Sequence, residues 1–467
     1  GQSDRPVGRQ ETQVRQPTKG AGRVTRTNKK DRKDVAPVID PYLPNNGNFG
    51  FRVSRYELSL EYKVESNRLT GIANITAVTL ASLHWFTLDL SDALSVAKVE
   101  VNGRRPAKYR TVNGKLHITL ANALPAGAAM KVTVRYGGNP RPIKSIWGTV
   151  GFEELTEGAL VAGQPNGAAS WFPCDDHPSS KASYRIAIST DSPYRVVANG
   201  ELVSRKTRAA QTMWVYELAE PTSTYLITLQ IGRYETLRLS KSPVPMSAAL
   251  PGRLIRNFEY DFGRQPQMMQ LFTRLFGPYP LSSGYSVVVT DDELEIPLEA
   301  QGVSIFGANH CDGRRSAERL IAHEMAHQWF GNSVTVRRWR DIWLHEGFAC
   351  YAEWLWAEES GWRTADQLAT HNLQKLRGLP QNLLLADPGP EDMFDDRVYK
   401  RGALTLHALR RTIGDENFFA LLRDWTTRYR HSTAVTDDFT GLAANYTDQS
   451  LRGLWNAWLY TVELPAL

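Results

Sequence analysis

Cysteine is scarce in this chain, with 3 among 467 residues, at Cys174, Cys311 and Cys350. Their spacing fits no zinc finger, and an odd number this small excludes a disulfide scaffold and allows one pair at most. Buried thiols are the expected state of all three. Long hydrophobic runs are also missing. No stretch approaches the roughly eighteen continuous apolar residues of a membrane-spanning helix, so no transmembrane segment is expected. Periodic glycine and low-complexity tracts are absent, and 42% hydrophobic with 22% charged residues is a globular composition. The length suits two or three domains rather than one.

Net charge is +6, with 55 basic and 49 acidic residues, but it is not spread evenly. The first 34 residues hold ten Lys or Arg against four Asp or Glu, and the remainder balances at 45 of each. The basic excess therefore belongs to a tail, placed at 1–40, and not to a folded nucleic-acid-binding face. The chain carries no hydrophobic leader and does not begin with Met. Such a start is compatible with a processed product, so placement is left between cytoplasmic and secreted, with cytoplasmic the preferred expectation.

Residues 41–235 read as a β-rich N-terminal domain. Tyr56, Leu58, Leu60 and Tyr62 alternate with Glu57, Ser59, Glu61 and Lys63, the period of a half-buried strand. Asn102-Gly103 and Asn113-Gly114 follow or precede such runs, and Asn-Gly favours two-residue hairpin turns because both residues tolerate positive φ. Further strands are expected at 131–136, 184–189, 213–218 and 224–231, in an antiparallel, sandwich-like domain. Residues 236–467 read as mainly helical with a small β portion. One strand is expected at Tyr285–Thr290, and helices at 257–275, 316–331, 341–359, 364–377, 400–412, 416–430, 435–444 and 449–460.

The sharpest chemical signal lies in the second of these helices. His323-Glu324-Met325-Ala326-His327 is an HExxH motif. Residues i and i+4 share a helix face, so the two imidazoles can ligate one ion while Glu324 reaches a metal-bound water. Eighteen residues separate His327 from Glu346, which lies within Trp343-Leu344-His345-Glu346-Gly347-Phe348. That interval allows one helix to end, a turn at Gly331-Asn332, and a second helix to return with a third ligand. Two histidines and a carboxylate leave a coordination position for water.

HExxH, eighteen residues and then Glu in a Glu-Gly-Phe context resembles the gluzincin zinc aminopeptidases of the aminopeptidase N and leukotriene hydrolase family, over about residues 50–460. The resemblance implies a β domain followed by a thermolysin-like catalytic domain, one Zn2+ per chain held by His323, His327 and Glu346, and Glu324 as general base. It departs at His345, where the family usually has Asn. Glu299, 24 residues before His323, matches the Glu of the family's Gly-x-Met-Glu-Asn motif within Ile296-Pro297-Leu298-Glu299-Ala300. The resemblance makes it the anchor of a substrate α-amine, with Gln164, nine residues before Pro173, assisting. Val398-Tyr399-Lys400-Arg401-Gly402 resembles the segment carrying a catalytic tyrosine, here Tyr399. Trp171-Phe172-Pro173-Cys174-Asp175-Asp176-His177-Pro178 resembles another family signature, read as packing near the domain junction.

The expected substrates are thus peptides with a free N-terminus, cleaved by an aminopeptidase in a shortened form of the family without the C-terminal helical domain. Two alternatives stand beside it: a thermolysin-like endopeptidase and a catalytically weak peptide-binding protein. The sequence does not define the oligomeric state.

Overall fold

The computed structural model describes residues 39–467. The basic tail, apart from Ile39 and Asp40, lies outside the described residues.

A seven-stranded sheet organises the first part of the chain. Its order is Glu201–Arg208, Gln211–Ser223, Lys181–Asp191, Phe51–Lys63, Arg68–Thr79, Ala129–Gly138 and Leu94–Val101. All neighbours are antiparallel except Phe51–Lys63 and Lys181–Asp191, which run parallel. The period-two reading holds along Phe51–Lys63: Tyr56, Leu58, Leu60 and Tyr62 are buried, and Ser59, Glu61 and Lys63 are exposed. Alternating side chains leave opposite faces of a strand, so one face packs and the other is wet. Both Asn-Gly pairs turn as expected, with φ of 53° and 76° at Asn102-Gly103 and 51° and 76° at Asn113-Gly114. The strand expected over 224–231 is interrupted. Thr224–Leu226 forms a 3-10 turn, and only Leu229–Gly232 is strand. Asn199 causes the break: its Nδ2 donates to the Leu226 carbonyl and its Oδ1 accepts from Thr228 N–H. These bonds turn Tyr225 toward the catalytic layer.

A five-stranded and a three-stranded sheet complete the β domain, and a further five-stranded sheet follows, in the order Glu235–Ser240, Met246–Leu250, Tyr285–Val289, Val303–Phe306 and Leu298–Ala300. Only Tyr285–Val289 among these was legible in the sequence. Val303–Phe306 is buried at every position and shows no alternation to read. Around this sheet pack nine helices among the described residues: α1 Ile255–Asp261, α2 Gln265–Phe276, α3 Glu318–Ala326, α4 Trp343–Glu359, α5 Ala365–Arg377, α6 Asp396–Ile413, α7 Asp415–Arg428, α8 Thr436–Ala443 and α9 Arg452–Leu459. The single helix expected over 257–275 is two, broken where Phe262 N–H closes α1 onto the Phe258 carbonyl and Pro266 opens α2. The helix expected over 316–331 ends at Ala326, with His327 as its cap. No helix among the described residues is long and apolar enough to cross a membrane.

Two large apolar cores result, one beneath the seven-stranded sheet and one among the helices. Trp171, Phe172 and Cys174 are fully buried in the first, as the packing reading of that motif expects. All three cysteines are buried and free.

Candidate active site

The site starts at the C-terminal end of α3. His323 and Glu324 lie within the helix, and His327 caps it with φ −57° and ψ −22°, still helical values. The i,i+4 phase is therefore kept, and the two imidazole rings stand 4.7 Å apart. The chain then turns sharply at Gly331, where φ is +117° and a Cβ would lie 3.2 Å from His327 Nδ1 and 3.3 Å from His345 Cγ. Only glycine meets both conditions without displacing a ring. Glu346 returns in the first turn of α4, its Oε2 at 3.2 Å from His323 Nε2 and 3.3 Å from His327 Nε2. The His at 345 leaves Glu346 in place. Burial lowers its pKa to about 3, and its neutral ring accepts a hydrogen bond from Val336 N–H at 2.9 Å.

The donor set fits a zinc ion. His327 Nδ1 donates to the Phe330 carbonyl at 2.9 Å, and His323 Nδ1 donates to the Glu353 carboxylate at 2.7 Å. With Nδ1 protonated, each Nε2 presents a lone pair. The two Nε2 atoms are 3.0 Å apart and share Glu346 Oε2 as neighbour. Three lone-pair donors this close repel unless protons or a cation lie between them. Tetrahedral zinc with bonds of about 2.0–2.1 Å separates its ligands by about 3.3 Å, close to the spacings found.

Glu353 and Arg319 were not singled out in the sequence. Arg319 Nη1 donates to Glu353 Oε1 at 2.9 Å, completing a relay from Arg319 through Glu353 to His323. Burial alone would raise the Glu353 pKa, but Arg319 and the His323 hydrogen bond hold it down at about 2. The relay fixes the His323 tautomer and ring orientation. A signal for it existed: Glu353 follows Glu346 by seven residues, two turns along the same face of a helix buried from Trp343 to Ala357.

Without metal, burial lowers the His323 pKa but hydrogen bonds to Glu346 and Glu353 prevail and raise it to about 9. A proton then competes with zinc below that pH. Zinc affinity is expected to rise about tenfold per pH unit for each proton displaced between pH 6 and 8. Competition with a chromophoric chelator measures this, and an affinity independent of pH would show that the ligands are unprotonated in the metal-free protein.

Glu324 is buried beside the ligands, and its Oε2 has no hydrogen-bond partner. Burial first, and the nearby Glu299 carboxylate second, push its pKa well up. Glu299 lies on the edge strand Leu298–Ala300, with Oε1 3.7 Å from His327 Nε2. Gln164 lines the same cleft as Glu299, together with Gly163, Tyr225 and Ala300, and its Nε2 is enclosed and unpartnered. Tyr399 stands in the first turn of α6, its ring stacked on His323 at 5.8 Å with 17° between the planes. Burial, followed by the fields of Glu346, Glu299 and Glu324, pushes its phenol pKa well up, so the hydroxyl keeps its proton. His323, His327 and Glu346 thus cluster with Glu324, Glu299 and Tyr399 about them, and Gln164 shares a pocket with Glu299.

Residues 53–226 match the Peptidase M1 N-terminal domain, and residues 260–458 match the Peptidase family M1 domain. The chain belongs to peptidase family M1. Among solved structures it resembles an M1 zinc metallopeptidase from Deinococcus radiodurans, in a substituted form bound to a Tyr-Ser-Ala substrate. That likeness has a TM-score of 0.84 and 27% identity, over 92% of this chain and 99% of the other. A two-domain M1 zinc metallopeptidase bound to L-arginine gives the same TM-score, 0.84, identity, 27%, and coverage, 92% and 99%. The leucyl aminopeptidase of Saccharolobus solfataricus is 24% identical over 439 residues, which is 87% of this chain and 53% of that enzyme. This M1 chain thus spans about half the length of that relative, or 53%.

Proposed function

We propose that this M1 protein is a zinc-dependent aminopeptidase that releases N-terminal residues from peptides. The observation that carries the reading is Glu299. It is a carboxylate outside the His323, His327 and Glu346 cluster, held 3.7 Å from His327 Nε2 and lining the same pocket as Gln164. A free α-amine is a cation whose N–H groups such a carboxylate and the Gln164 amide oxygen accept.

His323, His327 and Glu346 would hold the zinc ion, which when bound lowers the pKa of water and polarises a carbonyl. Glu324, which the charge of a bound ion would hold as a carboxylate despite its burial, would take the proton of the attacking water and return it to the leaving nitrogen. Tyr399 Oη donates a hydrogen bond to the developing oxyanion, a role that needs the protonated phenol its surroundings maintain. Glu299 and Gln164 bind the α-amine and place one residue between it and the scissile bond.

Initial rates on free-amine aminoacyl anilides beside their N-acetylated counterparts test the reading. Cleavage confined to the free-amine set, lost on chelation and restored by zinc, is expected. Glu299→Ala should lower kcat/KM on that set by roughly 10²–10³-fold, the scale of a buried charge left unpaired. Equal cleavage of the acetylated set would identify an endopeptidase instead, and zinc binding without turnover on either set a peptide-binding protein.

A further inference from the structure

The Leu298–Ala300 strand that carries Glu299 is poorly held by its own sheet. It is an edge strand paired through three residues only, Leu298 with Ile305, Glu299 with Ser304 and Ala300 with Val303. Beside Gln301 N–H, which donates to the Leu226 carbonyl at 3.0 Å, its further attachment comes from the segment that follows His327. Gln328 is fully buried, and its amide spans the turn after the strand: Nε2 donates to the Ala300 carbonyl at 3.1 Å and Oε1 accepts from Gly302 N–H at 2.8 Å. Asn332, also buried, donates through Nδ2 to the same Ala300 carbonyl at 2.9 Å and to Gln328 Oε1 at 3.1 Å. The β domain clasps this stitch from both ends. Asn199 Nδ2 donates to the Gln301 carbonyl at 2.8 Å, and Lys181 Nζ to the Ser333 carbonyl at 2.8 Å and the Asn332 carbonyl at 3.2 Å.

We propose that Gln328 and Asn332 are positioning residues that set the distance between the Glu299 carboxylate and the zinc ligands, and thereby restrict cleavage to the first residue. The proposal rests on the aminopeptidase reading. Its physical basis is directness. Gln328 is the next residue after His327, and Ala300 is the next residue after Glu299, so the Gln328 amide joins the two halves across one residue on each side, and Asn332, whose N–H donates to the His327 carbonyl at 3.0 Å, joins them at the same Ala300 carbonyl. One residue advances a peptide by about 3.8 Å between Cα atoms. An anchor that drifts by a fraction of that no longer distinguishes an α-amine from the next peptide group, and displacements near 1 Å cost about 10²-fold in rate. An edge strand with three pairs does not resist such drift. Two buried amides sharing one carbonyl do.

The test uses Gln328→Met, close in volume and unable to make either bond, and Asn332→Ser as a second variant in case the first does not fold. Each is measured for zinc content, for KM and kcat on a free-amine anilide and its N-acetylated form, and for the first product released from a tetrapeptide. Retained zinc, a KM on the free-amine substrate raised about tenfold, as for loss of a buried hydrogen bond, and weaker discrimination against the acetylated substrate are expected. The tetrapeptide should then yield some dipeptide beside the single residue. A folded, zinc-replete variant with unchanged KM, discrimination and product would overturn the proposal, as would a parallel fall on both substrates, which marks a purely structural role. Equal turnover of both substrates by the unsubstituted enzyme overturns the aminopeptidase reading itself, which is a separate outcome.

Discussion

Glu324→Gln is expected to lower kcat by roughly 10²–10⁴-fold, the range of general acid–base catalysis, with zinc still bound stoichiometrically. The substitution keeps the shape of the side chain and removes its capacity to take a proton. It should not disturb the fold, because a Gln amide N–H can still donate to Glu299 as the Glu324 carboxyl does, and the ligand atoms belong to His323, His327 and Glu346. Removing one of two neighbouring buried carboxylates also relieves repulsion with Glu299. The metal-free variant should therefore melt no lower than the unsubstituted protein. The measurement is kcat on a free-amine anilide with zinc content and thermal melting on the same sample. Near-normal turnover would remove Glu324 as the base, and loss of zinc would assign it a structural role.

A single methyl group at Gly402 is expected to be nearly as damaging, for a different reason. Helices α4 and α6 meet at Gly347 and Gly402, where a Cβ on Gly402 would lie 2.6 Å from Gly347 Cα, and one on Gly347 would lie 2.8 Å from Gly402 Cα. The obstacle is backbone, so the helices must separate. Gly347 follows the ligand Glu346, and Gly402 lies three residues after Tyr399, so separation moves the phenol away from the metal site. Alanine would ordinarily stabilise a helix by about 0.5–1 kcal/mol over glycine. Overpacking of about 1–3 kcal/mol outweighs that gain, and Gly402→Ala should be less stable by about 1–2 kcal/mol. A shift of the phenol approaching 1 Å should cost about 10²-fold in kcat with KM little changed. Gly441→Ala in α8 is the control, since nothing lies within 4 Å of a Cβ there; it should be at least as stable and fully active. Equal behaviour of the two variants would show that the α4–α6 contact yields without consequence.

Patterns of local origin are legible in the order of residues alone. The alternation of Tyr56, Leu58, Leu60 and Tyr62 marks a strand because burial on one face of a pleated chain recurs every two residues. The Asn-Gly pairs mark hairpins because few other residues adopt positive φ twice in succession. His323 and His327 mark a metal site because one helical turn brings their imidazoles to one point, and the eighteen-residue interval to Glu346 is long enough to turn and return. The positions of Glu299, Gln164 and Tyr399 rest on the family resemblance; the fold sets Glu299 and Tyr399 beside the ligand histidines and Gln164 in a pocket with Glu299.

What the sequence determined by itself was therefore the β-then-α order, the helices and the metal-binding chemistry, each carried by a period or spacing of a few residues. Tertiary structure alone decided what holds that chemistry in place. Apart from Tyr285–Val289, the sheet that carries Glu299 escaped reading because its strands are short and Val303–Phe306 is buried throughout, which erases alternation. Glu353 meets His323 across 30 residues, Gln328 meets Ala300 across 28, and Lys181 meets Ser333 across 152. Such contacts leave no local period, because a buried amide or ammonium finds its partner only where the packed layers bring a distant carbonyl or carboxylate to it.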